Sequence, residues 1–172
     1  MTEHVILVDP DDRPLGTMEK MEAHRLGVLH RAFSAFVFNS RGELLLHRRA
    51  LEKYHSGGLW TNTCCSHPRP GESIVEAAQR RLVEEMGMFC RLEPRFSFVY
   101  RADLDRGMIE HELDHVLVGY SDVQPEPDAA EVCETKYMPV DQVVADMAKH
   151  PNQYTAWFQI CLPEVISSLS LA

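Results

Sequence analysis

Residues 32–38 and 43–48 are two apolar runs rich in aromatic and β-compatible side chains, and the turn-forming Asn39, Ser40, Arg41 and Gly42 separate them. This pattern predicts a β-hairpin. The rhythm then changes: Ser73 and Glu76 make a capping box, Ile74, Ala78, Leu82 and Met86 recur every fourth position, and Gly87 stands where a C-terminal cap falls. A helix over 73–86 follows. Residues 95–101 and 109–120 read as strands either side of a polar turn at 103–107, and 124–128 is a Pro-rich loop. Residues 132–139 make another strand, and 141–149 a helix with Asp141 near its start, stopped before Pro151. Strands and helices mixed in this order predict an α/β (α+β) layered fold, a mixed sheet packed with helices.

A length of 172 residues suits one domain with a core of its own, and no repeat or linker divides the chain. Acidic residues outnumber basic ones, 26 to 17, for a net charge of −9, which argues against general nucleic-acid binding. Residues 1–9 lack a basic start, and their apolar run is too short for a signal peptide or a membrane span, so a cytoplasmic protein is expected. The cysteines at 64, 65, 90, 133 and 161 are odd in number and scattered, as expected of thiols in a reducing compartment. The stretch 61–68, with Cys64, Cys65 and His67, leaves three readings open: a redox pair, a metal site or a catalytic thiol.

The helix at 73–86 carries Glu76/Arg80, Arg80/Glu84 and Arg81/Glu85 at i,i+4 spacing. Taken alone these are helix-stabilising ion pairs on a solvated face, or a carboxylate platform for a hard cation such as Mg²⁺. The wider spacing favours the platform. Glu72, Arg80, Glu84, Glu85 and Gly87 fall in the register of the Nudix box, with Ser66 in place of its first glycine and Arg81 in place of a glutamate. The substitution at 81 removes a metal ligand and supplies a phosphate contact. The box looks built to hold a diphosphate without cutting it.

His24, His30 and His67 accompany Glu110 and Glu112, which strand alternation would set side by side on one face. Three imidazoles and two carboxylates suit a divalent ion, Mn²⁺, Mg²⁺ or Zn²⁺, although spacing alone does not join them. A resemblance joins them. Residues 2–7, 29–34, 48–51, 58–62, 65–68, 85–87 and 110–112, with Glu19-Lys20, Ala23-His24, Gly71-Glu72, Arg80-Arg81 and 100–102, are similar in order to the type I isopentenyl diphosphate isomerases.

That resemblance implies a Nudix-type sheet between helices, with residues 1–30 as an extension that contributes metal-ligand histidines to a single domain of 1–172. It puts His24, His30, His67, Glu110 and Glu112 at a protein metal site, and Glu85 on a second ion, Mg²⁺, that arrives with the diphosphate. Cys65 and Glu112 become the catalytic pair, with Tyr100 beside the glutamate. Lys20, Arg49, Lys53 and Arg81 become diphosphate contacts, and Trp60 an aromatic face for a cationic intermediate, as do Tyr100 and Trp157. The implied partner is a small allylic or homoallylic diphosphate, with no nucleic acid or membrane, in a monomer or weak homodimer. A Nudix diphosphate hydrolase and a non-catalytic binding module are the competing readings. The resemblance makes Cys65 the proton-transfer thiol and Cys64 a packing neighbour, so Cys65→Ala should abolish turnover of isopentenyl diphosphate while Cys64→Ala keeps most of it. Initial rates of the two variants check this, and the reverse order would overturn the register through 61–68.

Overall fold

In the computed structural model, which describes residues 2–170, a nine-stranded mixed sheet carries helices on both faces. The chain begins with a hairpin, β1 (His4–Val8) and β2 (Pro14–Glu19), followed by α1 (Lys20–Leu26). The central strands are β3 (His30–Phe38), β4 (Glu43–Arg49), β5 (Trp60–Thr61) and β6 (Cys64–Ser66). Then come α2 (Ile74–Met86), β7 (Glu93–Asp103), β8 (Ile109–Tyr120), β9 (Val132–Pro139), α3 (Val140–Lys149) and α4 (Ala156–Ser170). The first hairpin, α1 and α4 are additions to the elements expected from the pattern.

Alternation along β3 sorts the core. Phe33, Ala35 and Val37 pack with Ala77, Ala78, Leu82 and Met86 of α2, whereas Phe36 and Phe38 pack with Val143 of α3 and Phe158, Cys161 and Leu162 of α4. Helix α2 has the predicted boundaries and the reciprocal Ser73/Glu76 capping box. Gly87 ends it at φ 59°, and a Cβ there would lie 2.0 Å from the Glu126 carbonyl oxygen, so both conformation and space call for glycine.

One expected ion pair does not form. Glu76 is committed to the cap, and Arg80 instead forks onto Glu72 at 2.7 and 2.9 Å while keeping Glu84 at 2.9 Å. Arg81 and Glu85 do pair, at 2.7 Å.

The predicted 32–38/43–48 hairpin is present at its turn and opens immediately beyond it. Only Phe38 and Leu44 remain in register; one edge of β3 runs parallel to β8 along its length, and the other is shared among β1, β6 and β4. Strand β4 pairs instead with β9 and β5. The gap between the two strands is closed by side chains of the segment after β5. Val37 N–H donates to Thr63 Oγ1 at 2.9 Å, and that hydroxyl donates to Leu45 O at 2.7 Å, so one buried threonine stands in for a rung of the ladder. Asn62 Nδ2 similarly donates to Ala35 O at 3.0 Å.

Thr63→Val keeps the volume and leaves a buried N–H and a buried C=O without a partner, each worth about 1–3 kcal/mol. Denaturant unfolding should show Thr63→Val destabilised by about 2–4 kcal/mol and Thr63→Ser by much less. Equal losses would mean that the methyl, not the hydroxyl, matters.

Candidate active site and metal centre

The sheet register assembles the site. His30 of β3 is paired laterally with Glu112 of β8, and Glu112 with Tyr100 of β7, while Ser34 of β3 is paired with Cys65 of β6. Neighbours across strands share a face, so these side chains and those two residues along (Glu110, Asp114, His67) emerge on the α4 side. Helix α1 adds His24, wholly buried, from outside the sheet.

His24, His30, His67 and Glu112 present ligand atoms all within 4.8 Å of one another, and a second such group is His24, His55 and Glu110. His24 Nδ1 lies 2.7 Å from Lys20 O and His30 Nδ1 2.9 Å from Val28 O. Carbonyls only accept, so both rings carry their proton on Nδ1 and turn Nε2 inward. His24 Nε2 is buried with no partner, and His30 Nε2 and His67 Nε2 lie 3.1 and 2.8 Å from Glu112 Oε2.

Burial lowers His24 to about 4 and also lowers His67, so the second, charging proton is disfavoured on these rings at neutral pH. Burial works against ionisation of Glu112 as well, yet its position against His30 and His67 holds it well below the usual carboxylate range. A buried ionised carboxylate with the Nε2 atoms of His30 and His67 against it, and the unpartnered Nε2 of His24 close by, is a donor set that fits a divalent cation.

Tyr100 OH bridges the two carboxylates, hydrogen-bonded to Glu110 Oε1 and donating to Glu112 Oε1 at 2.8 Å. Burial, then the charge of Glu112, pushes Glu110 well up, so the pair divides into one protonated and one ionised member.

Cys64 and Cys65, adjacent on β6, point to opposite faces. Cys65 Sγ donates to Asn62 Oδ1 at 2.9 Å and accepts from Trp157 Nε1 at 3.1 Å. Burial, and secondarily Asp114, raise Cys65 far above an ordinary thiol, so it rests as S–H. Asn62 cannot turn away, because its amide donates to Ala35 O and Cys64 O at 3.0 and 3.2 Å. Cys64 Sγ goes to the α2 side and donates to Glu85 Oε2 at 2.9 Å. It is a hydrogen-bond partner of Glu85 as well as a packing residue.

Cys65, His67, Glu110, Glu112, Arg49 and Trp157 line one cleft of about 290 Å³. The guanidinium of Arg49, itself buried, lies 5.2 Å from the Trp157 ring centre. Lys20 and Arg81 line an adjoining groove that shares Ser66 and His67 with the cleft. Lys53 is held by Glu131 at 2.5 Å, and Lys20 and Lys53 both stand against the Tyr54 ring, at 4.8 and 5.3 Å. Glu85 lies outside both histidine groups, its oxygens taken by Arg81 and Cys64.

Trp60 is not among the residues lining the cleft: it packs, half-buried, against the core of Phe36, Leu46, Tyr154 and Phe158, and Lys136 stands over its ring at 4.1 Å. Trp157 provides the aromatic wall instead.

Sequence reasoning passed over His55, Asn62, Ser34 and Asp114. Asp114 continues the period of Glu110 and Glu112 and was legible from alternation; it accepts from Ser34 Oγ at 2.7 Å. His55 sits in the 50–59 loop and has no periodic signal.

The mixed sheet between helices, with a capped glutamate-rich helix, defines the class. A model of the NUDIX domain matches residues 28–158. A solved protein from Deinococcus radiodurans superposes with a TM-score of 0.72 at 21% identity, covering 86% of this chain and 90% of that one. A MutT NUDIX hydrolase from Burkholderia pseudomallei superposes with a TM-score of 0.63 at 18% identity, covering 80% and 98%. These likenesses concern the fold. Sequence relatives are more specific. The Isopentenyl-diphosphate Delta-isomerase of Pectobacterium atrosepticum is 53% identical, over 94% of this chain and 90% of that protein. The protein of the same name from Burkholderia multivorans is 54% identical, over 95% and 93%. The chain belongs to the isopentenyl-diphosphate Delta-isomerase family of NUDIX proteins.

The depressed His24 has a measurable consequence. Its folded value of about 4 lies below 6.5, so as pH falls through this window the unfolded chain takes up a proton that the folded one refuses. Metal-free protein should therefore lose stability between pH 6.5 and 4, by up to ~3 kcal/mol at this residue. Urea unfolding at pH 7 and 5 should show a smaller loss for His24→Gln than for the wild type; equal losses would mean that His24 is not held neutral.

Proposed function

We propose that this chain, an isopentenyl diphosphate isomerase, moves the double bond by adding a proton at C4 and removing one from C2 through a cation at C3, within the cleft between Cys65 and Glu112. The observation that carries this reading is that a protonated thiol and an ionised carboxylate line the same cleft, beside one buried guanidinium and under one tryptophan. Such a reaction needs a proton donor and a proton acceptor on either side of a five-carbon chain. The two exchange roles when the direction reverses, so each must be able to hold a proton. Tyr100, hydrogen-bonded to both carboxylates, relays a proton between Glu112 and Glu110.

Asn62 aims the Cys65 S–H bond, and Trp157 donates to the same sulfur and covers the site. The aromatic walls of Trp157 and Tyr100 stabilise positive charge at C3 and keep out the water that would capture it. Arg49 reaches the diphosphate from inside the cleft, with Lys20 and Arg81 in the adjoining groove and Lys53 beside Tyr54; local positive charge outweighs the net −9 there. Trp60 lies outside the cleft lining and is given no step here.

His24, His30, His67, Glu110 and Glu112 would hold a divalent ion, Mn²⁺, Mg²⁺ or Zn²⁺, whose charge when bound keeps Glu112 ionised. Glu85 would hold a Mg²⁺ that arrives with the diphosphate, since each carboxylate oxygen keeps a lone pair beside its present hydrogen bond. Residues 1–30 serve the single 1–172 unit by supplying His24 and His30. Five unpaired cysteines, one of them needed as a thiol, support a reducing cytoplasm as the working compartment. Among the described residues no helix is long and apolar enough to cross a membrane.

Incubation with isopentenyl diphosphate and Mg²⁺ in D₂O, followed by NMR, should give dimethylallyl diphosphate carrying deuterium. Release of phosphate-containing fragments would instead favour a hydrolase, and binding without turnover a non-catalytic module. Absence of both product and deuterium in metal-replete protein sinks the isomerase mechanism.

A further inference from the structure

His55 is the one imidazole of the cleft that the mechanism above leaves without a role. It stands in the loop between β4 and β5, is 2% exposed, and lines the same cleft as Cys65 and Glu112. Its Nδ1 lies 3.0 Å from Ser56 Oγ, which leaves Nε2 as the free donor atom. That atom is 3.8 Å from Glu110 Oε2, too far for a hydrogen bond and well suited to two ligands of one ion. With bonds of about 2.0–2.2 Å, donors around a single divalent ion lie at most ~4.4 Å apart. His24, His55 and Glu110 all present ligand atoms within 4.8 Å of one another.

We propose that His55 is a fourth imidazole ligand of the divalent ion, joining it from the Glu110 side. The inference rests on the reading of His24, His30, His67 and Glu112 as a metal centre and extends its donor set. The two ligand groups share His24, whose Nε2 is buried and unpartnered; His55 and Glu110 stand together outside the first group, so both close inward on an ion held at that atom.

The loop is built to hold the ring in place. Ser56, at φ 53°, anchors its N–H on Asp105 Oδ1 at 2.7 Å, and Arg49 Nη2 donates to the His55 carbonyl at 3.1 Å. Two residues on, a Cβ at Gly57 would come within 2.4 Å of Leu51 O, so the loop closes only with glycine there. The imidazole stacks on His24 at 5.7 Å and meets the Trp157 ring edge-on at 5.5 Å. A fourth nitrogen makes the donor set four imidazoles and two carboxylates. Such a set favours Mn²⁺ or Zn²⁺ over Mg²⁺, which prefers oxygen ligands and keeps its water. It also divides the labour between ions: the nitrogen-rich centre stays with the protein and Mg²⁺ travels with the diphosphate.

Zinc binding without substrate tests this. Metal-free full-length protein labelled with ¹⁵N-histidine is titrated with Zn²⁺ and followed by long-range ¹H–¹⁵N correlation. The Nε2 signals of His24, His30, His67 and His55 should shift together, while their Nδ1 signals stay near their starting positions. His55→Gln should remove one of the four responding rings and weaken Zn²⁺ binding by roughly tenfold or more. Three responding rings with an unmoved His55, or unchanged affinity in His55→Gln, overturns the fourth ligand and leaves the centre itself standing. No responding ring overturns the metal centre and this inference together. Should His55→Gln fail to fold, the wild-type titration decides by itself.

Discussion

The structure depends on how β3 satisfies its second edge. A central strand must place every buried N–H and C=O, and the turn at 39–42 would normally let β4 do that by simple hairpin pairing. Here the ladder is abandoned after one pair, and β1, β6 and the side chains of Asn62 and Thr63 complete it. The opening admits residues 62–66 into the middle of the sheet. Because β6 lies flat against β3, its period of two sends Cys64 toward α2 and Cys65 toward α4. The placement of the Cys65 thiol is thus set by main-chain accounting as much as by its own contacts.

The same constraint separates two kinds of charge. On the α2 side, Arg81, Glu85, Glu131 and Lys53 neutralise one another within 4 Å and keep Cys64 as a hydrogen-bond donor. On the α4 side, burial disfavours the charged form of His24 and His67 and keeps a proton on Glu110, while Glu112 stays ionised beside Tyr100. Buried charge of one sign is costly unless compensated, so the second cluster calls for a cation where the first supplies its own. The self-compensated cluster around Glu85 and the nitrogen-rich cluster in the cleft thus lie on opposite faces of the sheet.

Several parts of this arrangement were legible in the chain. The helix at 73–86 has the predicted limits because caps, period and glycine agree, each a local signal. Strands 109–120 and 132–139 also appear where the pattern set them. Glu110 and Glu112 share a face because alternation is a property of the extended backbone itself. The terminal hairpin, α1 and α4 were not read, since their apolar positions answer to partners far along the chain rather than to a clean local period. Trp60 shows the opposite case: an aromatic beside a matched motif packs against the core next to the cleft without lining it, which depends on tertiary packing rather than on the motif.

While the roles expected of Cys65 and His67 came from the family resemblance, the residue types and spacings alone determined the fold class, the central strands, the capped glutamate helix and the shared face of Glu110 and Glu112. These follow from period, capping and the chemistry each side chain brings, all of which travel with the sequence. Only the tertiary structure decided that His30, Glu112 and Tyr100 stand in one lateral row, that Asn62 and Trp157 share the Cys65 sulfur, and that His55 enters the cleft. Such facts depend on strand register and on loop closure between residues tens of positions apart. No window along the chain contains both partners, so no local rule can join them.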